Sequence, residues 1–142
     1  MMVAVEGLLR DERAHTTGRT VLLVEDETPL RTIIARNLVR RGHRLIAVDS
    51  VGDAIAEMTT RLPDVVLLDV NLPDGTGWEV LRWLRAVHHH VAVIVYSAVP
   101  PSTKRIAEFR PDAVLTKPFP MDSLVELIAT VGVAAPVAAE QE

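Results

Sequence analysis

Cysteine is absent from the 142 residues. That removes disulfides and thiol chemistry, and it fits the cytoplasm, where thiols stay reduced. Excess positive charge is lacking too: the net charge is −4, so nothing draws the chain to bulk nucleic acid or to an acidic membrane. No apolar run approaches the roughly 20 residues of a membrane-spanning helix. The opening MMVAVEGLLRDER mixes acids and arginines into a short apolar patch and does not read as a signal peptide. Lysine is scarce, two residues against thirteen arginines, so a lysine in a special position is the less easily dismissed. What is abundant is apolar: 49% of the residues, enough to build the core of one domain of this length.

Three segments follow from the pattern. Residues 1–19 read as a loosely ordered extension with room for one short helix, 20–131 as the folded domain, and 132–142, Ala-rich and acidic at its end, as a frayed tail. Between the tails, apolar runs alternate with helical periodicity. Val21–Val24, Leu45–Val48, Val65–Leu68, Val91–Tyr96 and Ala113–Leu115 read as five short strands, apolar throughout as strands covered on both faces are. Helices are predicted after each. Thr28 offers a cap with Pro29 behind it, and Leu30, Ile33, Ile34 and Leu38 recur at helical spacing up to Gly42. Ser50 and Ser102 offer caps to later helices, and Leu124, Leu127, Ile128 and Val131 mark the apolar side of the last. Five strands, each followed by a helix, imply an α/β fold: a doubly wound parallel sheet with helices on both faces. Ligands of such sheets sit at the carboxyl ends of the strands.

Those ends are polar. Strand one runs into Glu25, Asp26 and Glu27, strand three into Asp69, strand four into Ser97, and strand five into Thr116, Lys117 and Pro118. With a strand order of 2-1-3-4-5, acids, a hydroxyl and a lysine converge on one edge. Two carboxylates about 4 Å apart repel by roughly 4 kcal/mol at an effective dielectric of 20. A lysine offsets part of this and a hard divalent cation more. Mg²⁺ takes oxygen ligands, accepts one or two carboxylates and leaves positions for water and a phosphoryl oxygen. A carboxylate so placed is also a nucleophile toward phosphorus, giving an aspartyl phosphate.

Together LLVEDE, VVLLDVNLPDGTG, VIVYSA and LTKPF resemble the receiver domain of bacterial response regulators, over about residues 20–131. The resemblance implies a flavodoxin-like sheet of order 2-1-3-4-5 and a phosphorylation-controlled signalling module of a two-component phosphorelay. It implies Asp69 as phosphoacceptor, Glu25 and Asp26 as the acidic pair of a Mg²⁺ site, and Asn71 as the residue whose backbone carbonyl completes the metal shell. Ser97 is then the switch hydroxyl and Lys117 the phosphoryl-contacting lysine, followed by a cis bond to Pro118. The implied partners are a sensor histidine kinase or histidine phosphotransfer protein and a downstream protein, with no nucleic acid and no membrane insertion; a weak homodimer stays open. The implied location is the cytoplasm. The chain reads as a stand-alone receiver or the receiver part of a longer protein, and as an acceptor able to lose its own phosphoryl group rather than a turnover enzyme.

Two departures stand out. The family carries an aromatic residue three positions before the lysine, where this chain has Val114, and the stretch from Ser97 to Lys117, holding Pro100 and Pro101, is short. The shortened stretch predicts a fourth helix that is short or starts late, and both departures lie on the face that receivers commonly use for output. A phosphorylation-independent scaffold of the same fold is the alternative that Val114 favours. A Mg²⁺-dependent phosphatase is the other, and it lacks the Asp-x-Asp that such enzymes place after strand one. His88–His90 read as an exposed loop, because consecutive residues cannot all face one ion. Trp78 and Trp83, five apart on a helix, divide between packing and partial exposure. Gly75–Thr76–Gly77 follows the wrong strand for a phosphate loop.

Overall fold

A computed structural model describes residues 18–87 and 90–133. The expectations for residues 1–17, for His88 and His89, and for 134–142 lie outside the described residues. The elements are β1 (Thr20–Val24), α1 (Thr28–Arg40), β2 (Arg44–Val48), α2 (Val51–Thr60), β3 (Val65–Asp69), β4 (Asn71–Leu72), β5 (Gly75–Thr76), α3 (Gly77–Val87), β6 (Ala92–Ser97), α4 (Thr103–Phe109), β7 (Ala113–Thr116) and α5 (Met121–Thr130). The five longer strands form one sheet in the order β2-β1-β3-β6-β7, every pair parallel. Set aside the two-residue hairpin β4–β5, which the sequence pattern did not announce, and this is the predicted 2-1-3-4-5.

Alternation along the strands divides the core. Val21 and Leu23 of β1, Val65 and Leu67 of β3, and Ile94 of β6 pack under α1 and α5, against Ile34, Leu38, Leu124 and Ile128. Their neighbours Leu22, Val24, Val66, Leu68, Val93 and Val95 pack on the other side with Met58 of α2, Leu81 and Leu84 of α3, and Phe109 of α4. A central parallel strand buries both sets, so β3 is buried at all five positions.

The helix ends show which local signals held. Ser50 accepts from the N–H of Asp53 (3.0 Å) and Ser102 from that of Arg105 (3.1 Å), as capping residues do. Gly42, at φ 93°, closes α1: its N–H reaches Val39 O and that of His43 reaches Leu38 O, a left-handed termination that glycine adopts without a Cβ clash. Thr28 is not the cap of α1. Glu27 occupies that position without a side-chain bond, and the Thr28 hydroxyl instead accepts from Arg31. Ile33 is 48% exposed, since adjacent residues on a helix diverge by about 100° and Ile34 has taken the inward direction. Leu127 is half-buried, and Val131 is buried just past the end of α5. Trp78 is buried and Trp83 half-buried, the predicted division. His90 is exposed. Arg19, read from sequence as part of the extension, is held: its guanidinium donates to Ile128 O (2.9 Å) and Val131 O (2.7 Å), and its N–H to His43 Nδ1 (3.0 Å).

Candidate functional site

The strand alternation runs straight into the polar edge. Val21 and Leu23 lead to Glu25, Val65 and Leu67 to Asp69, Ala92 and Ile94 to Tyr96, and Ala113 and Leu115 to Lys117. Period two puts all four on the α1/α5 side of the sheet. The parallel ladder carries them to the same height: Asp69 pairs with Tyr96, and the N–H groups of Glu25 and Lys117 bond to Val48 O and Ser97 O.

There the side chains meet. Glu25, Asp26 and Asp69 each offer a carboxylate oxygen within 4.8 Å of the other two; Glu25 and Asp69 are buried and Asp26 is exposed. Lys117 Nζ lies 3.4 Å from Asp69 Oδ2 and 3.8 Å from Glu25 Oε1. The Tyr96 hydroxyl donates to Glu25 Oε1 at 2.6 Å, and Glu25 Oε2 accepts from the N–H of Glu27 at 2.9 Å. Asn71 is exposed, and its N–H points to Asp69 Oδ1 at 3.4 Å. Burial, then the charge of Glu25, push the Asp69 carboxyl up to about 6, with Lys117 pulling the other way. The Tyr96 hydroxyl is pushed far above its ordinary range, first by burial and then by its bond to Glu25.

Backbone packing fixes Asp69. Gly77 opens α3 with its N–H on Val70 O (2.7 Å), and a Cβ on Gly77 would run into the backbone oxygen of Asp69. The Gly-Thr-Gly run therefore has a packing role: it lets α3 start against the end of β3. Asp74 anchors the neighbouring loop, accepting from the N–H groups of Val51 (2.8 Å) and Gly52 (3.0 Å). Those two bonds hold its carboxyl below the usual range.

Ser97 stands apart. It continues the Val93–Val95 series, on the α2–α4 side, and its hydroxyl oxygen accepts from the N–H of Val99 at 3.3 Å. Beside it lies a cavity of about 350 Å³, lined by Val70, Asn71, Trp78, Pro101 and Arg105 among others. Val114 pairs with Val95, so it faces that side too. The aromatic bulk there comes from Trp78 and Phe109, whose rings lie 5.1 Å apart. α4 has seven residues, as short as predicted, and the Lys117–Pro118 bond is cis.

Of the residues singled out in the sequence, Glu25, Asp26, Asp69 and Lys117 come together, Asn71 borders them, and Ser97 lies on the next strand engaged elsewhere. Tyr96 was missed. Its signal was available, because it occupies the same alternate position in its strand as Asp69 does in β3.

A doubly wound sheet that gathers three acids and a lysine at its carboxyl edge has the make-up of a phosphoryl-accepting site. The sequence matches the profile of the response regulator receiver domain over residues 21–129, and the chain belongs to that family. It is similar to the response regulator protein FleR of Pseudomonas aeruginosa, 32% identical over 77% of this chain and 24% of FleR. It is also similar to the KDP operon transcriptional regulatory protein KdpE of Escherichia coli, 38% identical over 73% of this chain and 47% of KdpE. The chain thus spans from about a quarter to about half the length of these relatives. Among solved structures, it resembles a DNA-binding response regulator of the LuxR family from Staphylococcus aureus. The TM-score is 0.74 with 27% identity, covering 81% of this chain and 99% of that one.

Proposed function

We propose that Asp69 is the phosphoacceptor of this receiver, within a domain spanning residues 20–131, and that it takes the phosphoryl group from a phosphohistidine of a sensor kinase or phosphotransfer protein in the cytoplasm. The observation that carries this is the Asp69 carboxylate, buried at a strand end with Lys117 Nζ 3.4 Å from Oδ2. In the transfer, a carboxylate oxygen of Asp69 attacks phosphorus, the P–N bond breaks, and the imidazole leaves with the electron pair and takes up a proton. Lys117 offsets charge on the transferring oxygens. Ser97 can join only after its hydroxyl turns from Val99, and that turn is the switch read by a downstream protein. The same site supports slow loss of the phosphoryl group to water rather than turnover of a separate substrate.

The donor set suits Mg²⁺: hard oxygen ligands only, three carboxylates within 4.8 Å, two of them buried. Asp26, exposed, and Asp69 would bind the ion directly and the Asn71 carbonyl would complete the protein ligands. Both oxygens of Glu25 are already engaged, which supports a contact through water. The bound ion supplies neutralisation of the phosphoryl oxygens.

Incubation with Mg²⁺ and a small phosphodonor, followed by intact mass, tests the reading. The wild type gains one phosphoryl group, Asp69→Asn gains none while folding normally, and Asp26→Ala gains it only at much higher Mg²⁺. An Asp69→Asn protein that still gains the mass overturns the assignment. The intact acid, hydroxyl and lysine set speaks against the phosphorylation-independent scaffold.

A further inference from the structure

The chain's single tyrosine and the lysine of the site both approach one atom, Glu25 Oε1. The Tyr96 hydroxyl donates to it at 2.6 Å and Lys117 Nζ stands off at 3.8 Å. The lysine sits 5.0 Å from the centre of the Tyr96 ring and closer to Asp69, at 3.4 Å. Tyr96 is fully buried, its ring backed by Phe119 at 5.6 Å, so the hydroxyl has no water to turn to and its direction is fixed by packing.

Glu25 is fully buried, and a buried carboxylate demands donors. Its Oε2 has the Glu27 N–H. Were Oε1 left without the phenol, Lys117, whose Nζ stands 3.8 Å from that oxygen, would be drawn in, because a charge-assisted bond in a buried site is worth more than a long contact; the guanidinium of Arg31 is already engaged on the Glu25 backbone carbonyl at 2.8 Å. Lys117 would then move toward Glu25 and away from Asp69.

We propose that Tyr96 is a positioning residue for phosphoryl transfer: its hydroxyl satisfies Glu25 Oε1 and so leaves Lys117 to Asp69. The inference rests on the reading of Asp69 as acceptor. Tyr96 acts through its bond to Glu25, by settling which acid the lysine serves.

A double-mutant cycle on the rate of phosphorylation by a small phosphodonor, at saturating Mg²⁺ and read by intact mass, tests it. Tyr96→Phe, which removes one oxygen and keeps the ring, should slow the wild type about tenfold, the lower end for partners that orient a site from one shell out. In the Lys117→Gln background the same change should do less than twofold, since no lysine remains to be misdirected. A merely structural role predicts equal slowing in both backgrounds, and that result overturns the proposal, as does no slowing in the wild type. Should Tyr96→Phe fail to fold, 3-fluorotyrosine in the otherwise wild-type chain decides. Its single ¹⁹F resonance should shift in Glu25→Gln and in Lys117→Gln, and a resonance unmoved by both refutes the arrangement. A wild type that gains no phosphoryl group overturns the Asp69 reading and this inference with it. A wild type that gains it beside an unslowed Tyr96→Phe overturns the inference alone.

Discussion

The two faces of the sheet finish differently at the same edge. Under α1 and α5 the alternation ends in Glu25, Asp69, Tyr96 and Lys117, each within 4 Å of another. Under α2, α3 and α4 it ends in Ser97, beside a cavity of about 350 Å³ and a tilted Trp78–Phe109 pair. The first face is tied by charge: buried carboxylates must have partners, and strong directional bonds leave little freedom. The second borders an open cleft lined in part by Asn71, Ser102 and Arg105, where the side chains have room to move without opening a buried void. Glu25, Asp69 and Lys117 sit on the tied face, and the open cleft sits on the other.

The sharpest way to break that contrast is at Gly77, where the two faces share a backbone contact. Gly77→Val should cost about 3 kcal/mol, the upper end for overpacking, since its Cβ collides with the Asp69 backbone oxygen. It should also remove phosphorylation by displacing Asp69, the proposed acceptor. Urea unfolding and intact mass measure the two effects.

The tied face also predicts a pH dependence in metal-free protein. Asp69 titrates near 3.8 in the unfolded chain and near 6 when folded. The folded state therefore holds the extra proton between those values, and stability falls as the pH rises from about 4 through about 6. The loss is at most about 3 kcal/mol, at 1.36 kcal/mol per unit. In EDTA, Asp69→Asn should match the wild type near pH 4, gain on it through pH 6, and hold a constant advantage above pH 7. Thermal unfolding across that range checks the sign. An advantage that shrinks with rising pH refutes the burial argument.

The looser face should give smaller numbers and larger motion. Phe109→Leu should cost about 1 kcal/mol by losing the ring pair with Trp78, read by denaturant midpoint. On addition of beryllofluoride and Mg²⁺, amide exchange should change mainly in residues 98–110, and little near Val114, whose stiff branched side chain has no ring to reorient. Changes confined to β7 and α5 would place the response on the tied face instead. Smallest of all is the exposed Arg82–Glu108 pair at 4.0 Å. Glu108→Gln should shift stability by less than about 0.5 kcal/mol.

Much of this was legible in the chain. The strand runs, the Ser50 and Ser102 caps, the glycine stop at Gly42 and the acids, hydroxyl and lysine at strand ends all follow from local chemistry. The misreadings also have local causes. Thr28 looked like a cap because it precedes Pro29, yet the helix begins one residue earlier. Ile33 looked inward because its spacing fits, yet Ile34 faces the core. Tyr96 was read only as the last residue of a strand because strand ends were taken one residue at a time rather than by alternation.

By itself the sequence determined which residues reach the carboxyl edge and on which side of the sheet, because alternation is a property of a single strand. It did not determine that Tyr96 and Lys117 approach one oxygen of Glu25, that Gly77 must lack a side chain to admit Asp69, or that Ser97 turns to Val99. Those depend on distances between strands and helices far apart in the chain. Such distances are set only when both layers of helices have packed and the ladder has fixed the heights of the four strand ends.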